Sequence, residues 1–164
     1  EILEAVPGAT LDLATQWPTH VEAPLRQRMA SGMPAPVFER IRFNPPQPYA
    51  DYVRLVRDSD LLIDTMHWSG GLTSMDALHL GVPIVTLPGR VMRGRQTYGM
   101  LRTLDLPDLV ADSRDDLVKR VIDLCLDHHR RDDISAAIRD RHERLVGCDD
   151  AVADLARRLR DALG

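Results

Sequence analysis

Leu61-Leu62-Ile63-Asp64-Thr65-Met66-His67-Trp68-Ser69-Gly70-Gly71-Leu72-Thr73-Ser74-Met75-Asp76-Ala77-Leu78 is the stretch that decides the fold. Leu61 to Thr65 is a short apolar run and reads as a strand. Ser69 to Ser74 is a loop with two glycines, and a helix follows to about Leu80. Gly81 is placed to end that helix, with Pro83 just beyond. Ile84-Val85-Thr86-Leu87 is β-branched, apolar and free of proline, so it reads as a second buried strand before the turn at Pro88-Gly89.

The same alternation extends both ways. Upstream, Ala9 to Thr15 and Arg40 to Asn44 read as strands, Val21 to Ser31 and Tyr49 to Asp58 as helices, and Pro45, Pro46 and Pro48 as a stiff loop. Glu1 to Gly8 reads as the end of a helix. Downstream, Gln96 to Leu104 reads as a helix and Leu109 to Ala111 as a last short strand. Ser113 and Asp116 form a capping-box pattern ahead of a helix through Cys125. A second helix is expected from Asp132 to Leu145. A third is expected to bury Val152, Leu155, Leu159 and Leu163 and to pack back on the sheet. Strands alternating with helices predict an α/β domain with a doubly wound, mostly parallel sheet and a helical C-terminal end.

The chain has 164 residues, 44% hydrophobic and 28% charged, with a formal charge of −4. That is one soluble globular domain, with no electrostatic case for nucleic acid and no apolar run long enough for a membrane span. Two cysteines, Cys125 and Cys148, read as reduced structural thiols of a cytoplasmic protein. No His or carboxylate cluster has the pattern of a metal site.

In an open α/β sheet, ligands bind beyond the carboxyl ends of the strands, where the Ser69–Asp76 stretch lies. Gly70 and Gly71 let backbone approach a ligand, and the helix start offers unpaired N–H groups suited to phosphate. Thr73 and Ser74 add hydroxyls, and Asp76, one turn in, is placed for ribose hydroxyls. The residues equally fit a plain turn, with Thr73 and Asp76 forming a capping box. Both readings stay open on the residues alone.

The run from Asp64 through Gly89, with Arg40 to Tyr52 and Met92-Arg93-Gly94-Arg95-Gln96-Thr97-Tyr98, closely resembles the catalytic lobe of the O-linked N-acetylglucosamine transferase and SPINDLY family, bacterial members above all. The resemblance runs from about Ala9 to the end and is weakest in the final helices. It implies the second Rossmann-like lobe of a GT-B glycosyltransferase. Backbone N–H groups at Gly71, Leu72 and Thr73 would then bind the donor diphosphate, helped by the Thr73 hydroxyl, and Asp76 would bond the ribose. Arg95 is the basic residue expected to face the phosphates, ahead of Arg90 and Arg93. Tyr52 stands where the family has a histidine near the donor. Gly71-Leu72-Thr73 stands where some members have His-Thr-Thr, so Leu72 supplies only its N–H.

By the same resemblance the donor is UDP-N-acetylglucosamine, or next GDP-fucose, transferred with inversion to protein Ser or Thr hydroxyls without a metal. No residue here is assigned as catalytic base. The acceptor protein would be bound upstream, where family members carry tetratricopeptide repeats. The lobe is read as a fragment, inactive alone and lacking its first strand and helix, so the strands at Leu11 and Leu61 should flank a gap. The alternatives are a nucleotide-binding or protein-interaction module without transfer activity, and a GT-B-like sugar-nucleotide epimerase. His67-Trp68 reads as a half-buried loop pair, and His128-His129-Arg130-Arg131 as a solvated helix junction.

Overall fold

A computed structural model describes residues 1–14, 19–147 and 149–163. Strand β1 (Leu11–Ala14) pairs in parallel with β2 (Ile41–Asn44). Strand β3 (Leu62–Ile63) pairs in parallel with β4 (Ile84–Val85). Helix α1 (Ile2–Ala5) precedes β1, and α2 (Thr19–Ser31) and α3 (Ala35–Phe38) lie between β1 and β2. Helix α4 (Tyr49–Arg57) connects β2 to β3, and α5 (Leu72–His79) connects β3 to β4. Then come α6 (Gln96–Thr103), α7 (Arg114–Leu126), α8 (His128–Arg141) and α9 (Asp149–Leu163).

The strands are parallel and alternate with helices, as expected. Among the described residues they form two two-stranded sheets rather than one. The Leu11 and Leu62 strands belong to different sheets and do not pair. Leu109 to Ala111 is not a strand: Pro107–Leu109 is a turn of 3-10 helix, and a single parallel bridge joins Val110 to Thr86. Pro107 has no N–H to give a ladder, and it sits comfortably in a first helical turn.

The main core joins β4 to the later helices. Leu78, Ile84, Val85, Leu101, Leu104, Leu109, Val121 and Ile138 are buried together. A smaller cluster of Val56, Ala77 and Val82 lies between α4 and α5. Helix α5 serves both, through Leu78 on one side and Ala77 on the other. Its C-terminus turns at Gly81, where φ is +77° and an added Cβ would meet the Arg139 side chain at 2.7 Å. The C-terminal half of α5 is thereby held by packing on two faces, while Leu72 and Thr73 at its start are exposed.

Three further expectations change. The helix placed at Asp132 to Leu145 starts at His128, capped by Asp127, whose Oδ1 accepts from the Arg130 N–H at 2.9 Å. It gives way to a 3-10 turn at His142–Leu145. Arg131 is not solvated. It is 8% exposed, donates to the Leu124 carbonyl at 2.7 Å and meets Asp60 at 2.9 Å. The end of α7 leaves carbonyls without helical partners, and a guanidinium there satisfies them and suits the helix dipole. Finally, Val152, Leu155, Leu159 and Leu163 lie on α9 but are exposed rather than buried. Cys125 is a free thiol, half-buried, and burial raises its pKa. Cys148 lies outside the described residues.

Candidate functional site

Asp64, at the end of β3, organises the glycine loop. It is 6% exposed, and its carboxylate accepts four hydrogen bonds. Oδ1 takes the N–H groups of Thr65 at 2.9 Å and Gly70 at 2.8 Å. Oδ2 takes the hydroxyls of Ser69 and Thr86, each at 2.7 Å. Ser69 is fully buried, and its Oγ accepts the Thr97 N–H at 2.9 Å. The Thr97 hydroxyl sits 2.7 Å from Ser74 Oγ. One buried network thus ties β3, β4, α5 and α6 to the loop. The Ser69 N–H also donates to the Arg93 carbonyl at 2.8 Å, which draws in the segment after Gly89.

This geometry separates the residues singled out from sequence. The Gly70 N–H is engaged by Asp64, and an added Cβ would lie 2.3 Å from Ser74 Oγ. The Ser74 hydroxyl is buried against Thr97. Both groups face into the protein and brace the loop. Gly71 is the N-cap of α5, with no side-chain cap, so the Thr73–Asp76 capping box does not form. Leu72 and Thr73 open the helix and are exposed. Their N–H groups belong to the first turn, which has no carbonyl of a preceding turn to bond.

Asp76 faces α4 instead. Its Oδ1 accepts the Tyr49 hydroxyl at 2.8 Å, and its Oδ2 is buried without a partner. Tyr49 and Tyr52 stand with ring centroids 6.2 Å apart. Gln47, Tyr49, Tyr52, Leu72, Thr73 and Asp76 line one cleft of about 460 Å³, with Asp12 and Ala14 on the β1 side. Burial raises the Tyr52 pKa above the ordinary 10.0, the Asp76 charge adds to this, and the Thr73 hydroxyl opposes it. The bond to Asp76 raises Tyr49 in the same direction.

Arg95 does not line this cleft. Its guanidinium donates to the Gly89 carbonyl at 2.8 Å and stacks 4.6 Å from the Tyr98 ring centroid. His67 and Trp68 are exposed, not half-buried. Sequence reasoning missed Asp64, Gln47 and Tyr49. The signal for the last two was the Pro45-Pro46-Gln47-Pro48-Tyr49 run, whose stiffness delivers both side chains to the cleft. Among the described residues, no group of three or more His, Cys, Asp or Glu is placed to hold a metal, and no helix is long and apolar enough to cross a membrane.

Parallel strands alternating with helices, and a glycine loop that leads into a helix start beside a cleft, define an α/β lobe. The chain belongs to glycosyl transferase family 41, which it matches over residues 1–150. It is 32% identical over 127 residues to a UDP-N-acetylglucosamine–peptide N-acetylglucosaminyltransferase of Caenorhabditis elegans, covering 77% of this chain and 11% of that one. It is 29% identical over 101 residues to a probable enzyme of the same name, SPINDLY, from Solanum lycopersicum, covering 62% of this chain and 11% of the relative. Its fold matches a mutant of the Thermobaculum terrenum O-GlcNAc transferase with a TM-score of 0.85 and 29% identity, over 98% of this chain and 32% of that one. The chain therefore spans about a tenth of the curated relatives and about a third of the solved structure.

Proposed function

We propose that the cleft beside α5 binds the diphosphate and nucleoside of a sugar nucleotide, for glycosyl transfer to protein Ser or Thr hydroxyls. The observation that carries this is the start of α5. Its first-turn N–H groups open beside a cleft in which Asp76 Oδ2, one turn further on, has no partner. N–H groups and the positive end of a helix dipole stabilise a leaving diphosphate as its charge develops. Gly71, Leu72 and Thr73 supply those N–H groups, and Asp76 accepts from the ribose. UDP-N-acetylglucosamine is the favoured donor, supported by the names of the relatives. The acceptor protein and the general base belong to parts of the enzyme outside this lobe, and a cytoplasmic setting fits that acceptor class. The two parallel ladders fit two segments of one doubly wound GT-B sheet.

Calorimetric titration of the chain with UDP and GDP tests the donor site. Saturable UDP binding is expected with Kd below about 1 mM, the upper range of ordinary substrate constants. GDP should bind more weakly. A folded sample that binds neither nucleotide overturns the reading.

A further inference from the structure

Among the described residues, two buried side-chain polar atoms have no hydrogen-bond partner: Gln47 Nε2 and Asp76 Oδ2. Both residues line the same cleft. Buried polar groups are nearly always paired, and an orphaned one carries a desolvation cost that a ligand can remove. The two atoms are of opposite kind. An amide NH₂ only donates and an ionised carboxylate only accepts, so the missing partner must offer an acceptor to one and a donor to the other.

Their placement narrows that partner. Asp76 lies four residues beyond Leu72 on α5, about 6 Å along the axis from the helix start. With a diphosphate at the helix start, the donor-site reading above gives the position beside Asp76 to the nucleoside rather than to the phosphates. Tyr49 holds Asp76 Oδ1 at 2.8 Å, which fixes the carboxylate and leaves Oδ2 as the free atom. Gln47 stands two residues before Tyr49, separated from it by Pro48, the N-cap of α4. Gln47 lines the same cleft as Asp76, the residue that the donor-site reading gives to the nucleoside.

We propose that Gln47 is a specificity-determining residue for the nucleoside half of the donor, its amide N–H donating to a ribose or base oxygen while Asp76 Oδ2 accepts from a ribose hydroxyl. This rests on the donor-site reading above and adds to it a residue that reads the nucleoside rather than the diphosphate.

The test compares the wild-type chain with Gln47→Ala and Gln47→Glu, titrated with UDP, 2′-deoxy-UDP and inorganic pyrophosphate, alongside melting of the unliganded proteins. Gln47→Ala should weaken UDP about three- to tenfold, the value of one neutral hydrogen bond, and leave pyrophosphate unchanged. Gln47→Glu should weaken UDP further, because an acceptor replaces the donor. The melting temperature of unliganded Gln47→Ala should not fall, since the variant removes a donor that has no partner. Weakening confined to UDP assigns the contact to the ribose 2′-oxygen, and equal weakening of 2′-deoxy-UDP assigns it to another nucleoside oxygen; both support the proposal. If wild type binds UDP and Gln47→Ala binds it equally well, the Gln47 role is overturned and the donor site stands. If UDP and pyrophosphate weaken together, or melting falls, Gln47 is structural and the proposal fails. If wild type binds no UDP, both readings fall.

Discussion

At the residue scale, Asp64 carries more of the site than any side chain that faces the cleft. Its two oxygens hold two backbone N–H groups and two hydroxyls in a buried position. Asp64→Ala would orphan several of these at once, each at about 1–3 kcal/mol. A loss of about 3 kcal/mol or more is expected in urea denaturation. Asp64→Asn should lose less, because the amide oxygen can keep the N–H pair while the hydroxyls reverse to accept. The tyrosines make a pH prediction. Tyr49 and Tyr52 both ionise above the ordinary 10.0. The folded state thus binds protons that the unfolded state releases, so their contribution is fully present below pH 10 and is lost as pH rises through the folded values. Melting temperature should fall more steeply above pH 10 in the wild type than in Tyr52→Phe, with absorbance at 295 nm rising late. The glycine loop ahead of a helix was legible in the sequence, but its residues alone fitted a plain turn as well as a ligand site. Asp64 was not, because an aspartate at a strand end declares nothing until its four partners converge.

At the element scale, helix ends divide into those written locally and those decided at a distance. Ser113 caps α7 by accepting the Asp116 N–H at 3.1 Å, a contact three residues long and readable from the spacing. Helix α5 instead starts at Gly71 without a side-chain cap, and its Asp76 goes to Tyr49, 27 residues upstream. Helix α9 shows the limit of periodicity. Its apolar stripe is where the spacing puts it, yet Leu155 is 59% and Leu159 55% exposed. An exposed stripe contributes little to the fold of this chain. Leu155→Ser combined with Leu159→Ser should change unfolding free energy by no more than about 0.5 kcal/mol. Leu101→Ala, at a fully buried position, should cost about 2–5 kcal/mol. Chemical denaturation of both compares them directly, and a large loss from the α9 pair would show that the stripe is covered.

At the scale of the whole molecule, arginines fasten the elements together. Arg131 bonds the end of α7, Arg141 bonds the Leu104 and Asp105 carbonyls after α6, and Arg40 bonds the carbonyls of Val6, Pro7 and Ala9 after α1. Each joins residues more than five positions apart at a helix end, where carbonyls lack helical partners. Arg95 also goes to a backbone carbonyl, that of Gly89 in the turn after β4, and it does not line the cleft. Charge near a candidate phosphate site was a fair sequence signal, but a guanidinium goes to the nearest unpaired acceptors.

Local chemistry determined what the residues alone could declare: the alternation of apolar runs and helices, the Gly70-Gly71 break and the Ser113 cap. These depend on neighbours within a few residues. Tertiary structure decided the rest: that the strands form two ladders, that Gly70 and Ser74 turn inward, that Arg131 is buried, that the α9 stripe stays exposed, and that Gln47 and Asp76 meet in one cleft. Each of those outcomes depends on which distant group occupies the other side of a hydrogen bond or an apolar face, and residue spacing does not encode that.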